Sequence, residues 1–135
     1  MEETLFEAVG GHPTFERLVT TFYSGVANDE VLRPMYPEDD LSGAIWRLTA
    51  FLEQFFGGPN TYSEQRGHPR LRARHHPFPI DDRARDRWLL HMNAAVASLE
   101  LAPLHRETML DYFDRAAHAM VNTMSDVEGR GPNLL

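Results

Sequence analysis

Apolar residues recur at spacings of three and four along most of this chain, which is the period of an α-helix. The first such stretch carries Phe15, Leu18, Val19, Phe22, Tyr23 and Val26. Gly10 and Gly11 precede it, and Pro13 fits the first turn of a helix, where its missing N–H costs nothing. Residues 70–74 alternate between arginine and an apolar residue, as a β-strand does, but the rest of the chain predicts no second strand to pair with them. The pattern therefore predicts an all-α protein.

Three further helices are predicted from the same period and from signals at their ends. The second is capped by Asp39 or Asp40 and stops at the turn signal 57–59, which reads Gly-Gly-Pro. The third begins near Asp81, where a negative charge favours the start of a helix. The fourth begins around Pro103. We expect four main helices joined by turns.

The length of 135 residues suits one domain with a real core. Residues 1–135 are expected to form that single domain, with 126–135 as a frayed tail. The absence of cysteine excludes disulfides, thiolate nucleophiles and cysteine metal sites. We expect no export signal, and no apolar run approaches the ~18 residues of a membrane span. A soluble cytoplasmic protein without membrane contact is expected.

The segment between the second and third helices has no clear period and is rich in Arg and His. From Arg66 to Arg87 there are seven Arg and three acids, although the whole chain has a net charge of −7. All 13 basic residues of the chain are Arg. Long unpatterned segments are usually functional or ordered by something else. We expect a loop that ends in one short helical turn and holds an anionic group nearby.

Haem is the first ligand that these residues could hold. It needs an apolar slot, one imidazole for the iron and cations for its propionates. His75 supplies the imidazole, beside Arg74 and ahead of Phe78 and Ile80. Arg47 lies at the edge of the apolar face of the second helix. That face carries Leu48, Phe51 and Phe55.

Two other ligand classes compete with haem. A non-haem metal in a helix bundle needs Glu followed three residues later by His, and no Glu here has that partner. The H-E-x-x-H zinc motif is also absent. The basic segment, with Phe78 and Trp88 interleaved, could serve a nucleic-acid or anionic-ligand binding helical module. The overall acidity opposes nucleic acid, but residue patterns alone leave this alternative open.

Short motifs in a fixed order carry a resemblance to a known family. They are Gly10-Gly11, Phe22-Tyr23, Arg33-Pro34-Met35-Tyr36, Phe55-Phe56-Gly57-Gly58-Pro59, Leu71-Arg72-Ala73-Arg74-His75-His76-Pro77-Phe78-Pro79-Ile80 and Arg85-Asp86-Arg87-Trp88-Leu89. Over residues 4–124 the chain resembles the group II truncated haemoglobins. These are short bacterial globins in which two helices stack over two around haem.

The resemblance implies roles for individual residues. His75 matches the proximal ligand of the haem iron, and Tyr23 the distal tyrosine that faces the bound gas. Tyr36 matches the aromatic residue at the turn between the early helices. Trp88 matches the tryptophan that distinguishes the group, with its indole N–H aimed into the pocket. Ala44 falls where many globins place a distal histidine.

The remaining site residues are expected around these. Leu48 lies one turn beyond the alanine on the distal side. The cofactor-binding residues are expected to be Arg47, Phe55, Tyr62, Arg74, Phe78, Ile80 and Met92. His76 cannot bind the same iron as its neighbour, because adjacent helical side chains point about 100° apart. It is expected at the surface or near a propionate. Without cysteine the cofactor is haem b, held without thioether bonds.

The function implied is a gas-binding globin with slow O₂ release. Each donor to the gas adds about 0.5–1.5 kcal/mol, so three donors slow its release by orders of magnitude. O₂ and other diatomic gases are the expected ligands, with peroxide and sulfide as further candidates. NO dioxygenase or peroxidase-like activity is the enzymatic expectation. It requires an external reductase, because the chain has no flavin or nicotinamide fingerprint. Whether the chain forms a homodimer is left open.

Overall fold

Helices supply the regular secondary structure in the computed structural model, which describes residues 3–75 and 78–122. They are α1 (Leu5–Ala8), α2 (His12–Ala27), α3 (Ser42–Phe55), α4 (Thr61–Arg66), α5 (Leu71–His75), α6 (Asp82–Ser98) and α7 (Pro103–Met120), with a 3₁₀ turn at Arg33–Met35. No strand occurs within these ranges, so the all-α prediction is confirmed. None of the described helices has the length and apolar character to cross a bilayer. His76 and the expected tail 126–135 lie outside the described residues.

The core is built by α2, α3, α6 and α7 as two pairs of helices. The helix α2 packs against both α3 and α6, and α6 packs against α7. The buried face of α2 is the predicted apolar stripe. At Gly25 a Cβ atom would collide with the ring of His91 on α6. Glycine at this position therefore allows α2 and α6 to approach closely.

The ends of the long helices follow the sequence signals with one difference. Asp81 is the N-cap of α6 and accepts a hydrogen bond from the Ala84 N–H at 2.9 Å. The sequence predicts Asp39 or Asp40 as the cap of the second helix, but the N-cap position of α3 is Leu41. The Asp40 carboxylate instead accepts the Ser42 N–H at 2.9 Å in a turn just before the helix. A side chain two residues ahead thus satisfies a first-turn donor.

The segment between α3 and α6 is more ordered than expected, because it contains two short helices instead of one turn. Tyr62 is the buried residue of α4, and a single buried side chain leaves no period to detect. Gln54 of α3 holds this helix by bonding both the hydroxyl and the N–H of Ser63, at 2.7 and 2.9 Å. The alternating stretch of arginines lies mostly in α5 and ends at His75.

Candidate functional site

A cavity of about 450 Å³ lies among α2 to α7, and its walls are mostly apolar. This volume is typical of a cofactor or small-molecule site. Eleven of the thirteen predicted site residues line it, namely Tyr23, Tyr36, Ala44, Arg47, Leu48, Tyr62, Arg74, His75, Phe78, Ile80 and Trp88. The fold therefore gathers residues from both halves of the chain around one volume.

Phe55 and Met92 are not among the lining residues. Phe55 is the last residue of α3 and is 51% exposed, with its ring stacked on that of Tyr112 at 4.1 Å. Phe51, one turn earlier, lines the cavity. Met92 is fully buried in the core one turn beyond Trp88. We therefore omit Phe55 and Met92 from the proposed cofactor contacts.

His75 presents one nitrogen to its own helix. Its Nδ1 lies 2.6 Å from the carbonyl oxygen of Leu71. A carbonyl oxygen can only accept, so this contact places the ring proton on Nδ1 and leaves the lone pair on Nε2. A hydrogen bond of this kind sets which nitrogen can bind a metal. The imidazole is therefore prepared as a ligand through Nε2.

Two tyrosines and a tryptophan form a polar part of the cavity wall, and of the tyrosines Tyr23 is buried and Tyr36 half-buried. Tyr23 of α2 and Tyr36 after the 3₁₀ turn meet edge to face, with ring centroids 5.4 Å apart. Burial raises the pKa of Tyr23 well above its ordinary value, and the neighbouring Tyr36 raises it further. Burial also raises the pKa of Tyr36. The ring of Trp88 contacts Phe22 edge to face at 5.2 Å. Both hydroxyls thus stay protonated.

Arg33 holds the turn that carries Tyr36. Its guanidinium donates to three backbone carbonyls, those of Tyr36 at 2.9 Å, Glu38 at 2.8 Å and Asp39 at 3.0 Å. Such contacts fix a loop that has few backbone hydrogen bonds of its own. In the sequence Arg33 stands out only as part of a motif, because nothing in one sequence shows that its partners are carbonyls.

Asp29 ties α2 to α6 beside Trp88. Its side chain is 1% exposed and accepts from Arg87 Nε at 2.8 Å and His91 Nε2 at 2.6 Å. Two backbone N–H groups of the following turn also donate to it. Burial alone would raise the pKa of Asp29, but these hydrogen bonds outweigh it and hold the pKa well below the ordinary value. The carboxylate stays charged and fixes the helix that carries Trp88.

Cations surround the cavity on more than one side. The arginines that line it are Arg47, Arg66, Arg74 and Arg85. Arg66 and Arg74 both lie over the ring of Tyr62, at 5.9 and 5.7 Å from its centroid. Arg47 pairs with Glu38 at 2.6 Å, and this contact lowers the pKa of Glu38. An anionic ligand at this edge has to share the Arg47 guanidinium with that carboxylate.

Comparison with known proteins identifies the family to which this fold and cavity belong. The profile of the bacterial-like globin family matches residues 4–122. The chain belongs to the bacterial-like globins. Among its relatives, the group 2 truncated hemoglobin YjbI of Bacillus subtilis is 40% identical over 117 residues. The match covers 87% of this chain and 87% of that protein.

Solved globin structures are similar over most of the chain. The group II truncated hemoglobin of Bacillus anthracis superposes with a TM-score of 0.90 at 39% identity, covering 96% of this chain and 99% of that one. A thermostable hemoglobin of Thermobifida fusca gives a TM-score of 0.88 at 57% identity, covering 89% of this globin and 98% of that one. The resemblance to the group II truncated haemoglobins and the two-over-two fold are confirmed. The alternative of a nucleic-acid or anionic-ligand module is not favoured.

Haem is the cofactor that this family implies, and the cavity of this globin fits it. Haem needs an apolar slot, an axial nitrogen ligand and cations for its propionates. The cavity supplies apolar walls, the Nε2 lone pair of His75 and the guanidinium groups of Arg47 and Arg74. The donor set present is therefore the one that haem requires.

Several lining residues of this globin escaped the sequence reasoning. Tyr112 and Phe113 of α7 line the cavity, as do Arg66 and Arg85. The apolar pattern of α7 predicts a buried face, but a cavity wall and a packed core have the same pattern. Tyr112 lies at the edge of this apolar face, and a polar aromatic residue there is only a weak indication of a cavity wall. The sequence shows the charge of Arg66 and Arg85 but not their positions in the fold.

Proposed function

We propose that this globin holds haem b in the cavity through His75 and binds O₂ and other diatomic gases with slow release of O₂. The observation that carries the proposal is the gathering of one imidazole and three polar aromatic residues around a single apolar volume. They are His75, Tyr23, Tyr36 and Trp88. Haem, when bound, supplies the iron at which a gas is coordinated.

The chain holds the cofactor from three directions. His75 contributes Nε2, because its Nδ1 proton is committed to the Leu71 carbonyl. Arg47 and Arg74 are assigned to the propionates as guanidinium donors. The flat faces of the ring are assigned to apolar and aromatic lining residues, namely Leu48, Tyr62, Phe78 and Ile80. No covalent attachment is needed, and the chain has no cysteine to make one.

The distal residues stabilise a gas ligand by donating hydrogen bonds. Tyr23 and Tyr36 remain neutral because burial raises the pKa of both hydroxyls. The indole of Trp88 can only donate. In an apolar cavity each such bond is worth about 0.5–1.5 kcal/mol net. Ala44 occupies little space, so the donors and not a bulky side chain control the ligand. Slow release of O₂ follows.

Oxidative chemistry is the function that slow O₂ release favours. A globin that retains O₂ delivers it poorly but leaves it available for reaction with nitric oxide. Pre-aimed donors also favour charge development on peroxide, which supports a peroxidase-like activity. Sulfide remains a further candidate ligand. Turnover needs an external reductase, because the chain has no motif for a flavin or nicotinamide. We assign the protein to the cytoplasm on its composition.

The first experiment is the absorption spectrum of the purified chain titrated with haem. A Soret band that saturates at one haem per chain is expected. His75→Gly should weaken haem binding, and added imidazole should restore it. His68→Gly is the matched control, because it removes an exposed imidazole from the same segment. A wild-type chain that shows no Soret band with excess haem would refute the proposed function.

A further inference from the structure

Asn122, which follows α7 in the sequence, makes a cluster of hydrogen bonds to the segment that carries His75. Its backbone N–H donates to the Ile80 carbonyl at 2.9 Å, and its Oδ1 accepts the Ile80 N–H at 2.9 Å. Its Nδ2 donates to the carbonyls of Phe78 at 3.0 Å and His75 at 3.3 Å. One residue thus bonds three backbone positions that lie 42 to 47 residues away in sequence.

The position of these contacts relates them to the cavity. Both His75 and Ile80 line it, and Ile80 is buried. The carbonyl of His75 accepts from two donors, Asn122 Nδ2 and the N–H of Phe78. The contacts of Asn122 therefore hold the backbone of the metal-ligand residue itself and the cavity wall that follows it.

The helix that carries His75 cannot fix that residue alone. It has five residues, and a helix of that length is unstable without support. Its hydrogen bond from His75 Nδ1 to Leu71 orients the ring relative to α5 but leaves α5 itself free to tilt. α5 packs against α7, and Asn122 adds directional bonds where α5 ends. The ring and the backbone are thus held by two separate sets of contacts.

The chemistry of the asparagine side chain matches this task. The site needs one acceptor for an N–H and a donor group for two carbonyls, and a carboxamide offers both. Aspartate keeps the acceptor but places a second oxygen against two carbonyl oxygens. Alanine keeps only the backbone N–H contact. Asparagine, aspartate and alanine at this position should therefore differ in how many of these hydrogen bonds they can make.

We propose that Asn122 is a positioning residue for the proximal histidine, which it holds at the cavity wall through the backbone of residues 75, 78 and 80. The inference rests on the proposed haem binding and deepens it. Asn122 touches neither the gas nor the reacting atoms in this assignment. It acts through His75 by restricting the tilt of α5.

The test compares three variants of the full-length haem-loaded protein, Asn122→Ala, Asn122→Asp and His118→Ala. His118 is the control because it is exposed in the last turn of α7 and, among the described residues, its ring makes its polar contacts with Asp114 of the same helix. The first readout is the iron–histidine stretching band of the reduced, gas-free protein in resonance Raman spectra. The second is the rate of haem transfer to excess apomyoglobin.

We expect Asn122→Ala to shift or broaden the iron–histidine band and to speed haem release about tenfold, because three side-chain hydrogen bonds are lost, two of them solvent-exposed and therefore weak. Asn122→Asp should shift the band as well, because it loses both donor contacts. His118→Ala should match the wild type in both readouts. If Asn122→Ala fails to fold, Asn122→Asp alone decides the question.

Bands and release rates of both Asn122 variants equal to those of His118→Ala would overturn the proposal. A loss of thermal stability with an unchanged iron–histidine band would also overturn it, because that result describes a purely structural contact. A wild-type chain without a Soret band is a different failure, since it removes the proposed function on which this inference rests.

Discussion

The two walls of the cavity are built in different ways. The proposed distal donors Tyr23 and Trp88 stand on long helices, α2 and α6, which a buried carboxylate at Asp29 joins. The proposed proximal ligand His75 stands on a five-residue helix whose support comes from α7 and from hydrogen bonds to backbone groups. The distal wall is therefore part of the core, whereas the proximal wall is attached to it. Gas affinity should therefore depend on core packing, and haem retention on the contacts that hold α5 to α7 and to Asn122.

The largest expected effect comes from breaking the link between α2 and α6. Asp29→Asn removes the charge that Arg87 and His91 share, and breaking a buried pair of this kind costs about 3 kcal/mol in the free energy of unfolding. Urea unfolding at neutral pH measures it. Asp111→Asn, in an exposed ion pair with Arg115, should change little.

The difference in unfolding free energy between the wild type and Asp29→Asn should also depend on pH. The folded pKa of Asp29 lies below its ordinary value, so its stabilisation is complete above about pH 4 and is lost as the pH falls through the lowered pKa. The stability gap between the wild type and Asp29→Asn should therefore narrow only in acid. A gap that stays constant from pH 7 to pH 2 would contradict this assignment.

A second way to disturb the distal wall is to separate its helices. Gly25→Ala places a methyl group against the ring of His91, which is itself held on Asp29. Overpacking of this kind costs about 1–3 kcal/mol, measured by thermal or urea unfolding. The matched control is Gly43→Ala in α3, where the added atom meets only the flexible end of Arg47. That control should be neutral or stabilising, since alanine is the better helix former.

The proposed distal donors can be removed without changing the residues around His75. Tyr23→Phe and Trp88→Phe should each speed O₂ dissociation by up to about tenfold, the value of one hydrogen bond. Stopped-flow displacement of O₂ by carbon monoxide measures the rate. Tyr112→Phe, which removes a hydroxyl from the α7 side of the cavity, should leave the rate near that of the wild type. Equal rates in all four proteins would show that these residues do not contact the gas.

The smallest expected effect tests the turn that carries Tyr36. Arg33→Lys keeps the positive charge but cannot reach three carbonyls with a planar fork of donors. A looser turn aligns the Tyr36 hydroxyl less well, so O₂ dissociation should rise about threefold, a fraction of one hydrogen bond. Haem transfer to apomyoglobin should stay unchanged. A faster haem release would mean that this turn also supports the cofactor.

The long helices and most of the cavity wall were predictable from the sequence, because their signals are local. The stripe from Phe15 to Val26 has a helical period, and the motif around His75 is continuous in the chain. The short α4 was missed, because one buried side chain sets no period. Phe55 and Met92 lie beside true lining residues along their helices, and only the tertiary packing shows that the cavity ends before them.

The contacts that hold the site together were not predictable for a different reason. Asp29 and His91 are 62 residues apart, and Asn122 and His75 are 47 apart. A single sequence carries no record of such pairs. An aspartate after a helix is usually a turn residue, and an asparagine after a helix is usually a stop signal. Asp29 and Asn122 fit those local roles, and each also makes long-range hydrogen bonds that only the fold reveals.

The arginine rim of the cavity has a practical consequence for anyone who labels or modifies this protein. Arg47, Arg66, Arg74 and Arg85 supply its cations, and the 135 residues contain no lysine. Lysine acetylation, which erases a positive charge, therefore has no target at the mouth of the site. Amine-reactive dyes and cross-linkers would likewise find no lysine there and would leave these four cations unmodified.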